Sequence, residues 1–178
     1  GDLWIESNAQ LTSLAGLEGL TSVGGDLHIE DNAQLTSLTG LEGLNNVGGY
    51  VDIYYNAHLA SLIGLKGLTS VGGDLVIGDN AQLSSLAGLK SLTSVGGDVD
   101  IDNNPGLLTF ASLESVGEVD GSVEIEKGDI LLYTLLDPSP AEYAFLVDDP
   151  AVDAFTQVIL ESGGVFEGDL EIGENVTS

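Results

Sequence analysis

Apolar residues recur along this chain with a constant step of 24 residues. A short strand-like pattern opens the repeats at residues 1–5, 25–29, 49–53, 73–77, 97–101 and 121–125. In each of them two apolar residues stand two positions apart, as Leu27 and Ile29 do, and most of their neighbours are polar, which is the period of a strand with one buried face. The pattern therefore predicts one short strand per repeat.

The remainder of each repeat places an apolar residue at every third position. In the first repeat these residues are Leu11, Leu14, Leu17, Leu20 and Val23. This spacing matches neither the 3.6-residue period of an α-helix nor a long strand. It favours a chain that bends at regular corners and points one apolar side chain inward from each short segment. Stacked repeats would bury a continuous column that a single repeat cannot bury.

Two small residue types mark the corners of the repeat. Glycine pairs stand at 24–25, 48–49, 72–73 and 96–97, and we expect them to supply the positive φ of a tight corner. One asparagine per repeat forms a polar column, made of Asn8, Asn32, Asn56, Asn80 and Asn104. We expect these amides to face inward and to bond both each other and backbone groups that no strand satisfies.

The repeat G-D-L-x-I-x-x-N-x-x-L-x-x-L-x-x-L-x-x-L-x-x-V-G over residues 1–126 resembles the receptor L-domain repeat, a relative of the leucine-rich repeats. That family includes the ligand-binding lobes of insulin- and EGF-type receptors and many microbial surface proteins. The resemblance implies a right-handed, β-helix-like solenoid of parallel sheets that is extracellular and binds a ligand. The absence of cysteine and arginine and the uniform repeats favour the microbial surface-protein branch.

The C-terminal part of the chain departs from the repeat. Apolar residues on one face of 151–161 predict an amphipathic helix, and residues 168–172 restate the strand pattern. Either the array resumes there after a helical insertion, or that strand closes a cap. We predict a mainly β, leucine-rich solenoid of 24-residue turns over residues 1–136, with five full turns and a degenerate sixth. Residues 137–178 are predicted to form a small helical C-terminal cap with a returning strand.

Charge limits the partners of this chain. It has 178 residues, with 29 Asp and Glu against three Lys, and a formal net charge of −26. Nucleic acid and anionic membranes are excluded as partners, because their phosphates are bound through Lys and Arg. The first repeat begins in mid-pattern, and for that edge we expect a preceding neighbour or end-to-end self-association.

Aromatic residues gather at the outward positions of the first three strands. Together with neighbouring carboxylates they suit a sugar, since rings stack on its apolar face and carboxylates accept its hydroxyl hydrogen bonds. The candidate ligand-binding residues are Trp4, His28, Tyr50, Asp52, Tyr54 and Tyr55. Cross-strand aromatic packing is the alternative interpretation.

Carboxylates gather further along the same face. The candidate metal ligands are Asp98, Asp100, Asp102, Glu124 and Glu126. Ca²⁺ is the candidate ion because it prefers oxygen ligands. The pattern is not an EF-hand, since Asn103 stands where that loop needs glycine and Thr109 where it needs glutamate. A hydrated acidic face is the alternative interpretation.

No catalytic residues are predicted. The serines have no adjacent base, the two histidines have no metal-site companions, and the carboxylates repeat as ladders instead of forming one distinct pair. We therefore expect a non-enzymatic ligand-binding or adhesion module, extracellular or at the cell surface, that recognises carbohydrate or protein through its leading strands. A structural spacer in a larger adhesin and an ice-binding surface, built on threonine columns, remain as alternatives.

Overall fold

The computed structural model shows a mainly β solenoid that advances by one turn every 24 residues. Residues 1–107 are described throughout. Beyond them the described residues are 113, 116, 118–119, 121, 123–127, 130–132 and 165–166. The predicted helix at 151–161 and the strand pattern at 168–172 therefore lie outside the described residues, as does most of the predicted cap.

The first sheet has seven strands, of which six are parallel and come from consecutive turns. Its parallel strands are β1 (Leu3–Glu6), β3 (Leu27–Glu30), β5 (Val51–Tyr54), β7 (Leu75–Gly78), β9 (Val99–Asp102) and β11 (Val123–Lys127). Each residue pairs with the one 24 positions further on, as in Leu3 with Leu27, so the predicted alignment of the turns is confirmed. The last strand, β12 (Ile130–Leu132), pairs with β11 in the antiparallel sense.

The second sheet has six short parallel strands on another side of the coil. They are β2 (Ser22–Val23), β4 (Asn46–Val47), β6 (Ser70–Val71), β8 (Ser94–Val95), β10 (Glu118–Val119) and β13 (Val165–Phe166). Strand β13 pairs with β10 although more than 40 residues separate them in sequence. It thus takes the place that a second-sheet strand of a further turn would occupy.

Short helical turns complete the coil. Two 3-10 helices, Ile63–Leu65 and Ala87–Leu89, form equivalent corners of successive turns. No helix within the described ranges combines the length and the apolar character that crossing a bilayer requires.

The core is a set of stacked columns of Leu, Ile and Val. From the second turn onward most of these side chains are fully buried, for example Leu35, Leu38 and Ile53. The equivalent residues of the first turn, such as Leu3 and Leu11, are only partly buried and pack against the same core. Each turn therefore depends on its neighbours for burial, as the every-third-residue spacing predicts.

The asparagine column forms a continuous ladder that is buried from Asn32 onward, which confirms its predicted role. In the third turn, Nδ2 of Asn56 donates to the carbonyl oxygens of Ile29 (2.7 Å) and Tyr54 (2.9 Å). Its Oδ1 accepts from the backbone N–H of Asn32 (3.1 Å) and from Nδ2 of Asn32 (3.2 Å). Each amide thus joins its own turn to the preceding one at a corner where no strand pairs the backbone.

The glycine pairs do not supply positive φ, so that prediction is wrong. The left-handed conformation falls instead on the residue before each ladder asparagine, namely Ser7, Asp31, Tyr55, Asp79 and Asn103. The pairs are needed for close approach between turns. A Cβ on Gly48 would stand 2.8 Å from the carbonyl oxygen of Gly24, and one on Gly49 would collide with Oδ1 of Asp26.

The ladder predicts a large and position-dependent effect of losing an amide. Asn56→Ala should lower the free energy of unfolding by about 3–5 kcal/mol, because buried backbone groups of Ile29, Tyr54 and Asn32 lose their partners. Asn8→Ala is the matched control in the exposed first turn, where the loss should stay below about 1 kcal/mol. Urea unfolding followed by circular dichroism measures both. Equal losses would contradict the ladder's role.

Candidate functional site

The outward side of the first sheet carries five of the six candidate ligand-binding residues, and the sixth, Tyr55, directly follows Tyr54 at the end of β5. We call this side the leading face. Its three columns run across the strands and are Asp2, Asp26, Tyr50, Asp74 and Asp98; Trp4, His28, Asp52, Val76 and Asp100; and Glu6, Glu30, Tyr54, Gly78 and Asp102. Adjacent members of a column stand about 4.8 Å apart, which is the spacing of paired strands.

A stacked pair of rings forms the centre of the leading face. The ring of Trp4 lies on that of His28 with centroids 3.4 Å apart and planes 12° apart. Tyr50 meets His28 edge-on, with centroids 4.8 Å apart. Trp4 remains 56% exposed, whereas His28 is only 4% exposed. The sequence predicted His28 to be an exposed aromatic, and the structure corrects this, because its neighbours in adjacent turns cover it.

The third turn supplies a carboxylate next to the buried imidazole. Nδ1 of His28 lies 3.8 Å from Oδ2 of Asp52. Nε2 of His28 and Oδ1 of Asp52 are buried and have no hydrogen-bond partner among the described residues. Burial raises the pKa of Asp52, and the electrostatic interaction with His28 opposes this effect. The stack on Trp4 therefore covers a polar pair that is incompletely bonded.

Tyr54 and Tyr55 form a second cluster at the edge of the leading face. The Tyr54 hydroxyl donates to Oδ2 of Asp102 at 3.3 Å, two turns away. It can reach that far because the intervening residue is Gly78, whose missing side chain leaves room for the Tyr54 ring. Tyr55 packs edge-on against Tyr54, with centroids 4.6 Å apart, and is 53% exposed.

The carboxylates of Asp79 and Asp102 lie near the Tyr54 hydroxyl. Burial, with hydrogen bonding and repulsion from Asp79 and Asp102, raises the pKa of Tyr54 well above its usual range. Burial also raises the pKa of Asp102, with a smaller contribution from Asp79 and an opposing one from the Tyr54 hydrogen bond. Asp102, a candidate metal ligand in the sequence, thus belongs to the tyrosine cluster.

The aspartates of the first column have a structural task that the sequence analysis missed. Oδ1 of Asp2 accepts the backbone N–H of Asp26 (3.2 Å), and Oδ1 of Asp26 accepts that of Tyr50 (3.0 Å). Asp74 does the same for Asp98 (2.9 Å). The available signal was the glycine found 23 residues after each aspartate, since a side chain there would collide with the carboxylate.

The candidate metal ligands come together only in part. Asp100 and Glu124 are paired in register on β9 and β11, and Asp98 and Asp102 flank Asp100 on its strand. The side chains of Glu124 and Glu126 lie outside what the structure describes. Among the described residues, no three histidine or carboxylate side chains are arranged to hold a metal ion. The Ca²⁺ site remains a prediction.

Comparison with known proteins does not assign this chain to a family. No family model, curated protein or solved structure matches it.

The environment of Asp102 predicts a pH-dependent gain in stability when its charge is removed. A carboxyl whose pKa is raised by folding lowers stability once the pH exceeds its ordinary pKa in the unfolded chain. Asp102→Asn keeps an oxygen for the Tyr54 hydroxyl and should stabilise the fold at pH 7, by at most about 1 kcal/mol. The gain should vanish near pH 3, where the carboxyl is protonated in both states. Thermal unfolding of the variant and of wild type at the two pH values tests this. The prediction is contradicted if the stability of the variant relative to wild type is lower at pH 7 than at pH 3.

Proposed function

We propose that this chain is a non-enzymatic carbohydrate-binding module of the cell surface or extracellular space. The ligand would lie on the leading face across β1, β3 and β5. The observation that carries the proposal is Trp4, a large aromatic ring that is 56% exposed and yet held in place by its stack on His28.

The geometry around Trp4 favours a sugar over a generic apolar partner. A ring that is already held by a neighbour loses little conformational freedom on binding, so more of the stacking energy is retained. The carboxylates of Glu6 and Glu30 lie beside the stack in the adjacent column and can accept hydrogen bonds from hydroxyl groups. Tyr55 offers a second exposed ring in the third turn.

Binding without chemistry is the better-supported interpretation of these groups. His28 is the only histidine on the leading face, and its Nε2 is buried, out of reach of a substrate. The aspartates of the first column are engaged with backbone N–H groups of the next turn. No acid–base pair set apart from the ladders is found among the residues described here.

A cell-surface location is part of the same proposal. It is supported by the resemblance of the repeat to receptor L-domains and by the strongly acidic, cysteine-free composition. The presentation of this face on a stacked scaffold supports an adhesin-like role. A protein ligand on the same face remains the alternative within this class.

The hydrogen bonds of the threonine columns argue against an ice-binding surface. Oγ1 of Thr69 donates to the carbonyl oxygen of Asn45, and Oγ1 of Thr93 donates to that of Thr69, both at 2.9 Å. Thr36 makes the equivalent bond to Thr12 at 3.2 Å. These hydroxyl protons hold neighbouring turns together and are not available to order water. A pure spacer, by contrast, predicts that no ligand binds.

Truncating the exposed ring tests the proposal. A glycan array identifies the bound sugar, and calorimetry then compares wild type with Trp4→Ala. We expect at least a tenfold loss of affinity, about 1.4 kcal/mol, because stacking on Trp4 is removed. Ile63→Ala is the matched control, since Ile63 is 47% exposed but lies on a 3-10 helix away from the leading face. An array without any bound glycan, or equal losses in both variants, would refute the proposal.

A further inference from the structure

Four carboxylates flank the Trp4–His28 stack. Asp2 and Glu6 lie two residues before and after Trp4, and Asp26 and Glu30 stand in the same relation to His28. Asp2 and Asp26 each use Oδ1 for a backbone N–H. The side chains of Glu6 and Glu30 make no hydrogen bond or ion pair within the described part of the chain. The exposed ring is therefore bordered by negative charge on both sides.

Within the described part of the chain, no lysine or arginine lies near these charges. Residues 1–65 contain eight Asp and Glu and no Lys or Arg. The first two lysines, Lys66 and Lys90, follow the 3-10 helices and lie away from the leading face. Glu6 and Glu30 stand in adjacent strands, where two like charges repel by about 1 kcal/mol in water. A positively charged ligand relieves this repulsion, a neutral one leaves it, and an anionic one increases it.

The aromatic centre points in the same direction. An exposed tryptophan ring attracts a cation by about 0.5–1 kcal/mol. Below it, Nε2 of His28 and Oδ1 of Asp52 are buried without a partner among the described residues. Buried polar atoms are bonded in nearly all cases, and local departures from that rule are typical of functional sites.

From these observations we propose that the leading face recognises an amino sugar, namely an oligosaccharide whose repeated amino groups are free and positively charged. This inference rests on the proposed function and specifies the chemical class of its ligand. The sugar ring would stack on Trp4 while its ammonium groups face the carboxylates of Glu6 and Glu30. The aligned carboxylates of successive turns suit a ligand that repeats its charge along its length.

Two oligosaccharides that differ only in their amino groups provide the test. The β-1,4-linked glucosamine hexamer carries free amines, and the N-acetylglucosamine hexamer has the same backbone without their charge. Trp4 is the single tryptophan of the chain, so its fluorescence reports directly on the proposed site. At about pH 6, where such amines are protonated, we expect the glucosamine hexamer to bind at least tenfold more tightly. That preference should shrink as salt is added.

Charge-neutral variants separate a specific site from general attraction to an acidic protein. Glu6→Gln combined with Glu30→Gln should weaken binding of the glucosamine hexamer at least tenfold. The matched control is Glu18→Gln with Glu42→Gln, which removes the same two charges elsewhere. Those carboxylates accept the backbone N–H groups of Gly16 and Gly40, and glutamine preserves an acceptor there. Equal losses in the two double variants would overturn the proposed site.

The remaining outcomes distinguish this inference from the proposed function. Equal or tighter binding of the N-acetylglucosamine hexamer would overturn the amino-sugar inference and leave carbohydrate binding standing. If neither hexamer binds and the glycan array also shows no bound sugar, both the amino-sugar inference and the proposed function are refuted. If a lysine peptide of matched charge binds as tightly as the glucosamine hexamer, and is weakened equally by the Glu6 and Glu30 substitutions, the ligand is a basic peptide and the sugar assignment falls.

Discussion

The buried asparagine ladder is the interaction on which this structure depends. After each strand of the first sheet the chain turns a corner, and its backbone groups would be buried there without partners. The amide of Asn56 meets this need in both directions, since it donates to carbonyls of its own and the preceding turn and accepts from the preceding one. Because the asparagines must stand above one another to do so, every turn is held to the same length.

Equal turns have a consequence for the surface. Side chains at the same position of successive turns are brought to strand spacing, so similar residues become ladders and like charges become neighbours. The structure accommodates this in different ways along the leading face. Asp2 and Asp26 are bonded to backbone N–H groups, and Tyr54 crosses Gly78 to reach the carboxylate of Asp102. Near Trp4 no described side chain pairs with Glu6 or Glu30 to offset their repulsion, and this is where we propose that the ligand binds.

The scaffold was predictable from the sequence to a large extent, and the site much less so. The alignment of Leu3 with Leu27 and the inward asparagine column both follow from a constant period, because stacking repeats one environment in each turn. The glycine pairs and the exposure of His28 were predicted incorrectly. The role of the glycine pairs depends on how closely two turns approach each other, and the exposure of His28 depends on which side chains cover its ring. The spacing of residues along the sequence determines neither of these.

The amino-acid sequence by itself determined the coil: its 24-residue step, its buried columns, and the gathering of aromatic and acidic residues on one side. These properties are periodic, and periodicity is visible along a single chain. Only the tertiary structure decided that Trp4 lies flat on a buried His28, that Tyr54 belongs with Asp102, and that the first-column aspartates bond the next turn. Such contacts join residues 24 or 48 positions apart through particular side-chain conformations, which are set by the neighbouring turns once they are packed.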